Sequence, residues 1–292
     1  LESCWPVHGS VLVLDGLVYA LAGRSSYLDG GMYLAAMDVA TGEARSVRRF
    51  NTPEMTPGPR IQFEYKENPP GLLNGILQTD GERIFMRNHA YAKDLTDSGE
   101  DSYIARIVAL QGFLDDSYFK RTPWRFGYLK TWGNILSHAR GRIYSARMFD
   151  SLRCLSPGNF FTPGSGYTLA CESTEGAGAP YEGHSKAANG NPGKVENRII
   201  WSTKVPVRVR AMALTADTLF IAGPPDRLDA EDPLGVFEGR KGARMLVVSA
   251  ADGSPRAAYE LAGPPVFDGL IAGGRTVLVS QRSGRLTCYE SR

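Results

Sequence analysis

The feature that most constrains the fold of this chain is a pattern that recurs along its 292 residues. Each copy is a short apolar or β-branched run, a tight turn, and a second such run. The turns fall at Asp15-Gly16, Asp80-Gly81, Arg140-Gly141, Ala216-Asp217 and Gly273-Gly274. Short β-type runs joined by residues that accept a positive φ predict β-hairpins.

A second hairpin follows the first in several copies. Residues 32–38 lead through Ala40-Thr41-Gly42 into 43–49, and residues 244–249 lead through Asp252-Gly253 into 256–261. Each unit is therefore predicted to hold four antiparallel strands. We expect an all-β fold, a β-propeller with about four to five blades in one domain spanning residues 1–292. The expected repeats cover residues 9–50, 74–127, 134–205, 208–262 and 265–292.

The long connections are expected on one face of this propeller. In a four-stranded meander the turns after the first and third strands share one edge, and the other connections share the opposite edge. Most long segments fall in the second class: residues 23–31, 51–73, 89–101, 148–166 and 223–242. Residues 172–197 are expected on the opposite face. Loops on a rigid scaffold often carry function, so the long-loop face is the predicted binding surface.

Charge and hydropathy exclude some classes of partner. The formal net charge is +2 and 22% of the residues are charged, which gives no reason to expect nucleic acid as a partner. No run approaches the roughly 20 apolar residues of a membrane helix, so no membrane span is predicted. The chain begins at Leu1 without a visible signal peptide, and the sequence is interpreted as a fragment of a longer protein.

Cysteine and histidine spacing does not predict a metal site. The cysteines Cys4, Cys154, Cys171 and Cys288 form no CxxC pair, and the four histidines show no metal-ligand spacing. The cysteines are interpreted as small buried or half-buried residues. A Cys154–Cys171 bridge is the alternative in an exported protein.

Several side chains are candidates for ligand binding, each with a structural alternative. Arg24, Ser25 and Asp29 share a glycine-flanked loop, where Arg24 and Asp29 bind either a polar ligand or each other. Asp115 is either a ligand for Ca²⁺ or part of an Asx-turn or ion pair. Trp124 belongs to an aromatic group that forms a stacking platform or packs between blades. The full candidate set is Arg24, Ser25, Asp29, Arg87, His89, Asp115, Trp124 and Arg147.

Three basic residues flank Pro206. In an extended segment Arg208 and Arg210 share one face, with Lys204 nearby. They form either a small anion-binding stripe or a solvated, salt-bridged face. The second interpretation is preferred.

Two segments of the sequence resemble a known family. Residues 33–43 (Tyr-Leu-Ala-Ala-Met-Asp-Val-Ala-Thr-Gly-Glu) and 247–253 (Val-Val-Ser-Ala-Ala-Asp-Gly) resemble the end of a PQQ-like propeller repeat, found in quinoprotein dehydrogenases and in the β-propeller subunit of the outer-membrane assembly machine. Residues 2–10, 112–121 and 201–211 resemble large planctomycete-type PQQ-binding-like repeat proteins. The resemblance implies a bacterial, exported or periplasmic protein, with upstream blades completing a ring of about eight.

The resemblance does not imply that this chain binds the quinone cofactor. Quinoprotein dehydrogenases place a pair of adjacent cysteines and a tryptophan against the quinone, with Ca²⁺ held by Glu and Asn and a catalytic Asp. This chain has no adjacent cysteines and no Ca²⁺ triad can be placed. We therefore predict no PQQ, no Ca²⁺ or other metal, and no catalytic residues in this segment.

The preferred functional hypothesis is a non-enzymatic binding or scaffold module. Its partner is expected to be a protein or a small polar or carbohydrate ligand on the long-loop face. The alternative is a PQQ-dependent oxidoreductase or a polysaccharide-active enzyme that uses the central funnel. The enzyme hypothesis requires a cofactor or a convergent acid/base pair among Arg24, Asp29, Arg87, His89 and Asp115.

Overall fold

The chain divides into two compact units, residues 1–114 and 115–292. The computed structural model describes residues 3–7, 11–51, 74–86, 89–100, 107–109, 123–126, 129–148, 167–175, 198–227 and 229–290. Within these ranges the chain forms β-strands and one short helix.

The first unit holds two four-stranded antiparallel sheets whose spatial order follows the sequence. The strands of the first sheet are β1 (Leu12–Leu14), β2 (Leu17–Ala22), β3 (Met32–Asp38) and β4 (Ala44–Phe50). Those of the second sheet are β5 (Leu77–Thr79), β6 (Arg83–Met86), β7 (His89–Ala92) and β8 (Asp97–Glu100), and β9 (Ile107–Ala109) follows.

The first hairpin shows why the turn residues matter. Leu14 pairs with Leu17, so only Asp15 and Gly16 connect β1 to β2. Both have positive φ, 50° and 76°. A two-residue turn with φ positive at both positions matches the right-handed twist of the strands, and Asp-Gly is a favoured sequence for it. The predicted hairpin is confirmed here.

One predicted loop is wrong. Residues 89–101 were expected to be a long connection, but they form the antiparallel pair β7 and β8, with His89 opposite Glu100. The apolar run here is only three residues, and the turn between the strands places Leu95 at a φ of 70°. Tertiary packing decides the conformation, because Tyr91 is 2% exposed and packs against Phe50 in the core.

The core of the first unit lies between its two sheets. Tyr19, Met32 and Leu34 of the first sheet pack in one cluster with Ile84 and Tyr91 of the second. On β3 the buried residues alternate with partly exposed ones, the period of two expected of a strand with one face on the core.

The second unit holds a hairpin, two four-stranded sheets and one three-stranded sheet, each antiparallel and in sequence order. The hairpin is β10 (Pro123–Phe126) and β11 (Leu129–Trp132). The four-stranded sheets are β12 (Ile135–Ala139), β13 (Arg142–Arg147), β14 (Tyr167–Ser173) and β15 (Ile199–Val205), then β16 (Ala211–Leu214), β17 (Thr218–Gly223), β18 (Ala243–Ser249) and β19 (Pro255–Leu261). The helix α1 (Gly235–Glu238) precedes β18, and the last sheet is β20 (Pro265–Gly273), β21 (Thr276–Gln281) and β22 (Leu286–Glu290).

The sheets of the second unit are arranged as propeller blades. The first strands of successive sheets contact one another, β12 with β16 and β16 with β20. Apolar clusters fill the spaces between neighbouring sheets; one joins Leu169 to Leu219, and the next joins Met245 to Val279. The predicted fold class, an all-β propeller of four-stranded antiparallel blades, is confirmed.

The meander gives the second unit two unlike edges. One edge carries the turns at residues 140–141, 215–217, 250–254 and 274–275, and we call it the turn edge. The other carries the connections 206–210, 224–242 and 262–264, and we call it the mouth edge. Of the residues described, the longest connection is 224–242, and it contains α1.

Two leucines on strands of the second unit test the packing. Leu169 on β14 is fully buried, whereas Leu286 on β22 is 65% exposed. We expect Leu169→Ala to lower the free energy of unfolding by about 2–5 kcal/mol, because it removes apolar contacts and leaves a cavity. Leu286→Ala should change it by less than about 0.5 kcal/mol. Urea denaturation of both variants measures the difference, and equal losses would contradict the described core.

Candidate functional site

The second unit contains a cavity at its mouth edge. Its volume is about 60 Å³. The wall brings together the mouth-edge connections and residues at the start of β14 and β20: Asn134, Tyr167, Arg208, Val209, Arg210, Pro224, Val236, Phe237, Pro264 and Phe267. We call it the mouth cavity.

A backbone ladder fixes one wall of the mouth cavity. The amide of Arg208 donates to the carbonyl of Pro224 at 2.8 Å, and the amide of Arg210 donates to that of Ala222 at 2.9 Å. Residues 206–210 therefore run antiparallel to 222–226 and extend the hairpin of β16 and β17. A Cβ on Gly223 would lie 1.8 Å from the carbonyl oxygen of Arg208. Only glycine allows this close approach.

Arg208 is a buried, oriented cation in this wall. The residue is 7% exposed, and its Nε lies 3.4 Å from Oδ1 of Asp226, which is also 7% exposed. The guanidinium carbon lies 4.5 Å from the ring centroid of Phe237 on α1. A buried charge needs such partners, because desolvation otherwise disfavours it strongly. The ladder, the carboxylate and the ring together hold the guanidinium in one orientation.

Arg210 lies two residues further along the same wall. Its Nε donates to the carbonyl of Pro265 at 3.1 Å. Its own carbonyl accepts from the amide of Asp268 at 2.8 Å, and Asp268 has a φ of 55°. Arg210 thus connects the start of β16 to the start of β20, and its side chain lines the mouth cavity beside Arg208.

The inserted connection covers the cavity from the other side. Val236 of α1 is 1% exposed and lines the cavity, and Gly239 ends the helix with a φ of 85°. The Nζ of Lys241 lies 2.7 Å from Oδ2 of Asp229 and 3.3 Å from Oδ2 of Asp232. These ion pairs link the two ends of the insertion. The hydrogen bond to Asp229 raises the pKa of Lys241 and lowers the pKa of Asp229. The pKa of Asp232 is lowered chiefly by its hydrogen bond from Arg240, with a further contribution from Lys241. The insertion is therefore a structured wall.

The turn edge of the same unit carries a broader depression. Its volume is about 540 Å³, but it is open to solvent. It is lined by residues at the ends of β12 and β16 and in their turns: Ser137, His138, Ala139, Arg140, Leu214, Thr215 and Ala216. None of these side chains is a buried charge, so the mouth cavity is the stronger candidate for specific binding.

The predicted loop residues of the first unit lie near β2 and β3. Arg24 and Asp29 are exposed, whereas Ser25 is 8% exposed. The hydroxyl of Ser25 accepts from the amide of Tyr27 at 3.2 Å, and the carbonyl of Asp29 accepts from the indole of Trp5 at 3.0 Å. Asp29 has a φ of 55°, so local hydrogen bonds shape this loop.

The other predicted residues separate into three environments. His89 lies on β7 in the first unit, and Arg87 and Asp115 fall outside the described residues. Trp124 is 3% exposed, and its indole nitrogen donates to the carbonyl of Gly133 at 3.0 Å. The ring therefore lies among packed strands. Arg147 takes part in a buried polar network of its own.

Arg147 joins the hairpin β10–β11 to the sheet that begins at β12. Its Nη2 lies 2.5 Å from Oε2 of Glu172, and its Nε donates to the hydroxyl of Ser145 at 2.9 Å. The hydroxyl of Thr131 donates to the same carboxylate oxygen, and the guanidinium lies 4.0 Å from the ring centroid of Trp132. Burial lowers the pKa of Arg147, and the charge of Glu172 opposes that shift. The network holds two sheets together.

The sequence places Arg208 and Arg210 on one face of an extended segment, but they are not among its candidate ligand-binding residues. The preferred interpretation is a solvated or salt-bridged face: Arg208 does pair with Asp226, but at 7% exposure it is buried and belongs to no solvated face. The sequence did not identify Asp226 or Phe237 as its partners. Asp226 follows the Pro224-Pro225 pair, and prolines there mark the end of β17. That signal predicts a turn, and it does not predict which side chain would meet Arg208.

The described residues form neither a transmembrane helix nor a cluster of metal-binding side chains. None of their helices is long and apolar enough to span a bilayer. They also include no group of three His, Cys, Asp or Glu side chains arranged to hold a metal ion.

Comparison with known proteins finds distant structural similarity and no match in sequence. No protein-family model matches it, and no curated protein matches it. Among solved structures it is similar to BamB from Moraxella catarrhalis, with 8% identity over 100% of this chain and 74% of that one, at a TM-score of 0.48.

Two further solved structures are similar over different shares of their length. Dihydro-heme d1 dehydrogenase NirN in complex with DHE is 10% identical over 100% of this chain and 56% of that one, at a TM-score of 0.42. The tricorn protease is 13% identical over 94% of this chain and 28% of that one, at a TM-score of 0.45. At these identities none of the three structures bears on what this chain binds.

Breaking the buried ion pair of Arg147 should be costly. Glu172→Gln leaves the guanidinium buried without its counter-charge, and we expect a loss of about 3–5 kcal/mol in the free energy of unfolding. The double variant Arg147→Met with Glu172→Leu should recover part of that loss, because no uncompensated charge remains. The exposed pair Arg244–Glu260 supplies the control: Glu260→Gln should cost at most about 1 kcal/mol in the same urea titration. A small loss for Glu172→Gln would contradict the described network.

The cysteines give a second test. Cys171 is a free thiol with 0% exposure, and burial raises its pKa, whereas Cys4 and Cys288 are free and exposed. Cys154, its suggested bridge partner, lies outside the described residues. In a variant with Cys4, Cys154 and Cys288 replaced by serine, we expect Cys171 to react with a thiol reagent only after unfolding. Rapid labelling of the folded variant would contradict its burial.

Proposed function

We propose that this chain is a binding module of an exported bacterial protein, and that its partner docks on the mouth edge of the second unit. The observation that carries the proposal is the difference between the two edges. The turn edge has short turns at residues 140–141, 215–217, 250–254 and 274–275 and also carries the connection 174–198, of which the structure describes only the ends. The mouth edge has a cavity walled by an inserted helix and by an oriented, buried arginine. A rigid scaffold that presents structured connections on one edge is suited to binding.

The exposed side chains of the insertion favour a protein partner. Leu234 is 59% exposed and Phe237 is 39% exposed, and both lie on the connection 224–242. Apolar and aromatic side chains beside a charged pocket resemble the composition of an interface centre with its polar rim. The mouth cavity itself is small, so it would receive one chemical group of the partner. The larger contact would form on the insertion around it.

The scaffold supports this proposal through its buried charges. The ion pairs Arg147–Glu172 and Arg208–Asp226 lie buried in the packing between strands and connections. Such groups stabilise a unique arrangement of a polar interior, provided that every member has a partner. In this proposal they position the mouth edge.

The proposal gives the chain neither a quinone nor Ca²⁺. The adjacent cysteines that the resemblance would require are absent from the sequence, in which Cys4, Cys154, Cys171 and Cys288 are all far apart. Upstream blades of a longer parent protein, and an exported or periplasmic location, are part of the proposal through the sequence resemblance.

A pair of matched surface variants tests the proposal. Binding is measured by surface plasmon resonance against a panel of exported bacterial proteins and glycans, and every partner found is measured again with both variants. We expect Phe237→Glu, at the mouth edge, to weaken binding by at least about tenfold, because hot-spot aromatics contribute about 2 kcal/mol or more. Ala216→Glu, which adds the same charge at the turn edge, should leave it unchanged.

Two outcomes would contradict this function. The first is binding that Ala216→Glu abolishes and Phe237→Glu spares, since the turn edge would then be the contact surface. The second is the absence of any partner together with measurable turnover, either dye-linked alcohol oxidation after loading with PQQ and Ca²⁺ or release of sugars from a polysaccharide.

A further inference from the structure

The mouth cavity has a distinctive distribution of charge. Two of the residues that line it, Arg208 and Arg210, are cations, and none of the lining residues carries a carboxylate. Asp226 neutralises Arg208 but does not line the cavity. The backbone of Asp268 binds Arg210, and Asp268 does not line it either. Because the Coulomb energy falls with distance, a small group inside the cavity interacts more strongly with the two arginines than with the two carboxylates behind them.

We propose that the mouth cavity is a binding site for a carboxylate group, which the partner of the proposed function would present. This inference rests on the proposed function for the source of the carboxylate, and the site itself follows from the wall. A guanidinium binds a carboxylate through planar, charge-assisted hydrogen bonds. Asn134 and Tyr167 also line the cavity, and their amide and hydroxyl groups are further hydrogen-bond donors.

The size of the cavity decides between classes of ligand. A water molecule needs roughly 10–15 Å³ of cavity volume measured with a water-sized probe, so about 60 Å³ corresponds to a few atoms. A carboxylate with one or two methylenes fits that volume. A sugar ring is larger and carries hydroxyl groups on all sides, so it does not fit.

The apolar walls decide between anions. Val236, Phe237 and Phe267 face the cavity together with Pro224 and Pro264. A carboxylic acid has one charged end and one apolar end, so it can meet the arginines and the apolar walls at once. Inorganic phosphate is polar on every side, and several of its oxygens would be buried against carbon without a hydrogen-bond partner.

Arg208 is oriented before any ligand arrives. The ladder to residues 222–226, the contact with Asp226 and the ring of Phe237 already restrict its side chain. Ordering a long side chain on binding costs conformational entropy, and here folding has already met most of that cost. Asp226 is thus a positioning residue for the carboxylate site.

The test uses the whole chain and defined probes. Propionate, inorganic phosphate, a short peptide ending in valine and the same peptide with an amidated C-terminus are titrated by isothermal calorimetry. We expect propionate to bind with a Kd of about 1 mM, since few atoms are buried. Phosphate should bind at least about tenfold more weakly because of the apolar walls.

A double variant removes the site without leaving a buried charge. Arg208→Met with Asp226→Asn should remain folded, because both members of the ion pair are replaced together. It should lose propionate binding by at least about tenfold, as the charge-assisted hydrogen bonds are gone. Arg210→Gln removes the second cation and keeps Arg208, so it should weaken propionate binding by a smaller factor than the double variant does. The charge-matched control, Arg244→Gln with Glu260→Gln, removes an exposed pair and should bind as the parent chain does.

The peptide pair identifies the source of the carboxylate. If the free peptide binds more tightly than its amide, the site recognises the C-terminus of a protein partner. If propionate binds and both peptides fail, the site takes a free small acid; this outcome supports the carboxylate site and overturns the part of the inference that assigns it to the partner.

Two outcomes would overturn the carboxylate site itself. One is that no carboxylate binds the parent chain up to about 50 mM, where occupancy would be nearly complete for the expected affinity. The other is that the folded double variant binds propionate as well as the parent chain. Neither result depends on finding a protein partner. A partner that binds the Arg208→Met/Asp226→Asn variant normally and loses affinity with Phe237→Glu would leave the proposed function standing without this site.

Discussion

Antiparallel pairing in sequence order is the constraint on which the rest of this structure depends. When each strand pairs with the next, every connection must return at one of two edges. In the second unit the turns after first and third strands lie on one edge, and all other connections lie on the other. The position of the insertion 224–242 beside residues 206–210 and 262–264 follows from that rule. Strand order therefore brings together the connections that form the mouth cavity, and the side chains then line it.

Packing between sheets then makes the edges rigid enough to hold a site. The apolar clusters between neighbouring sheets bury one face of each strand against the next blade, as in the contact of Leu169 with the cluster that contains Leu219. In a close-packed interior the position of one element fixes the position of its neighbours. Arg208 is held in place in this way, because its backbone is hydrogen-bonded to residues 222–226 and its guanidinium packs on the ring of Phe237 in α1.

The buried arginines show how similar residues can have different roles. Arg147 and Arg208 are 3% and 7% exposed, and each contacts a carboxylate and an aromatic ring. The network of Arg147 lies between the hairpin β10–β11 and the next sheet, with Thr131 and Ser145 as further partners. Arg208 faces the mouth cavity. Their environments differ because one lies where two sheets meet and the other where connections meet at an edge.

The sequence by itself determined the hairpins, since apolar runs flank Asp15-Gly16 and Arg140-Gly141, and a glycine in each pair accepts the positive φ that a two-residue turn needs. It also determined the four-stranded repeat and the all-β fold class. It did not determine that residues 89–100 pair as two strands, because that depends on Tyr91 reaching a core made by other segments. Nor could it join Arg208 to Asp226 and Phe237. Local pattern fixes what a segment becomes, whereas the contacts of a charged side chain depend on which connections share an edge, and only the tertiary structure decides that.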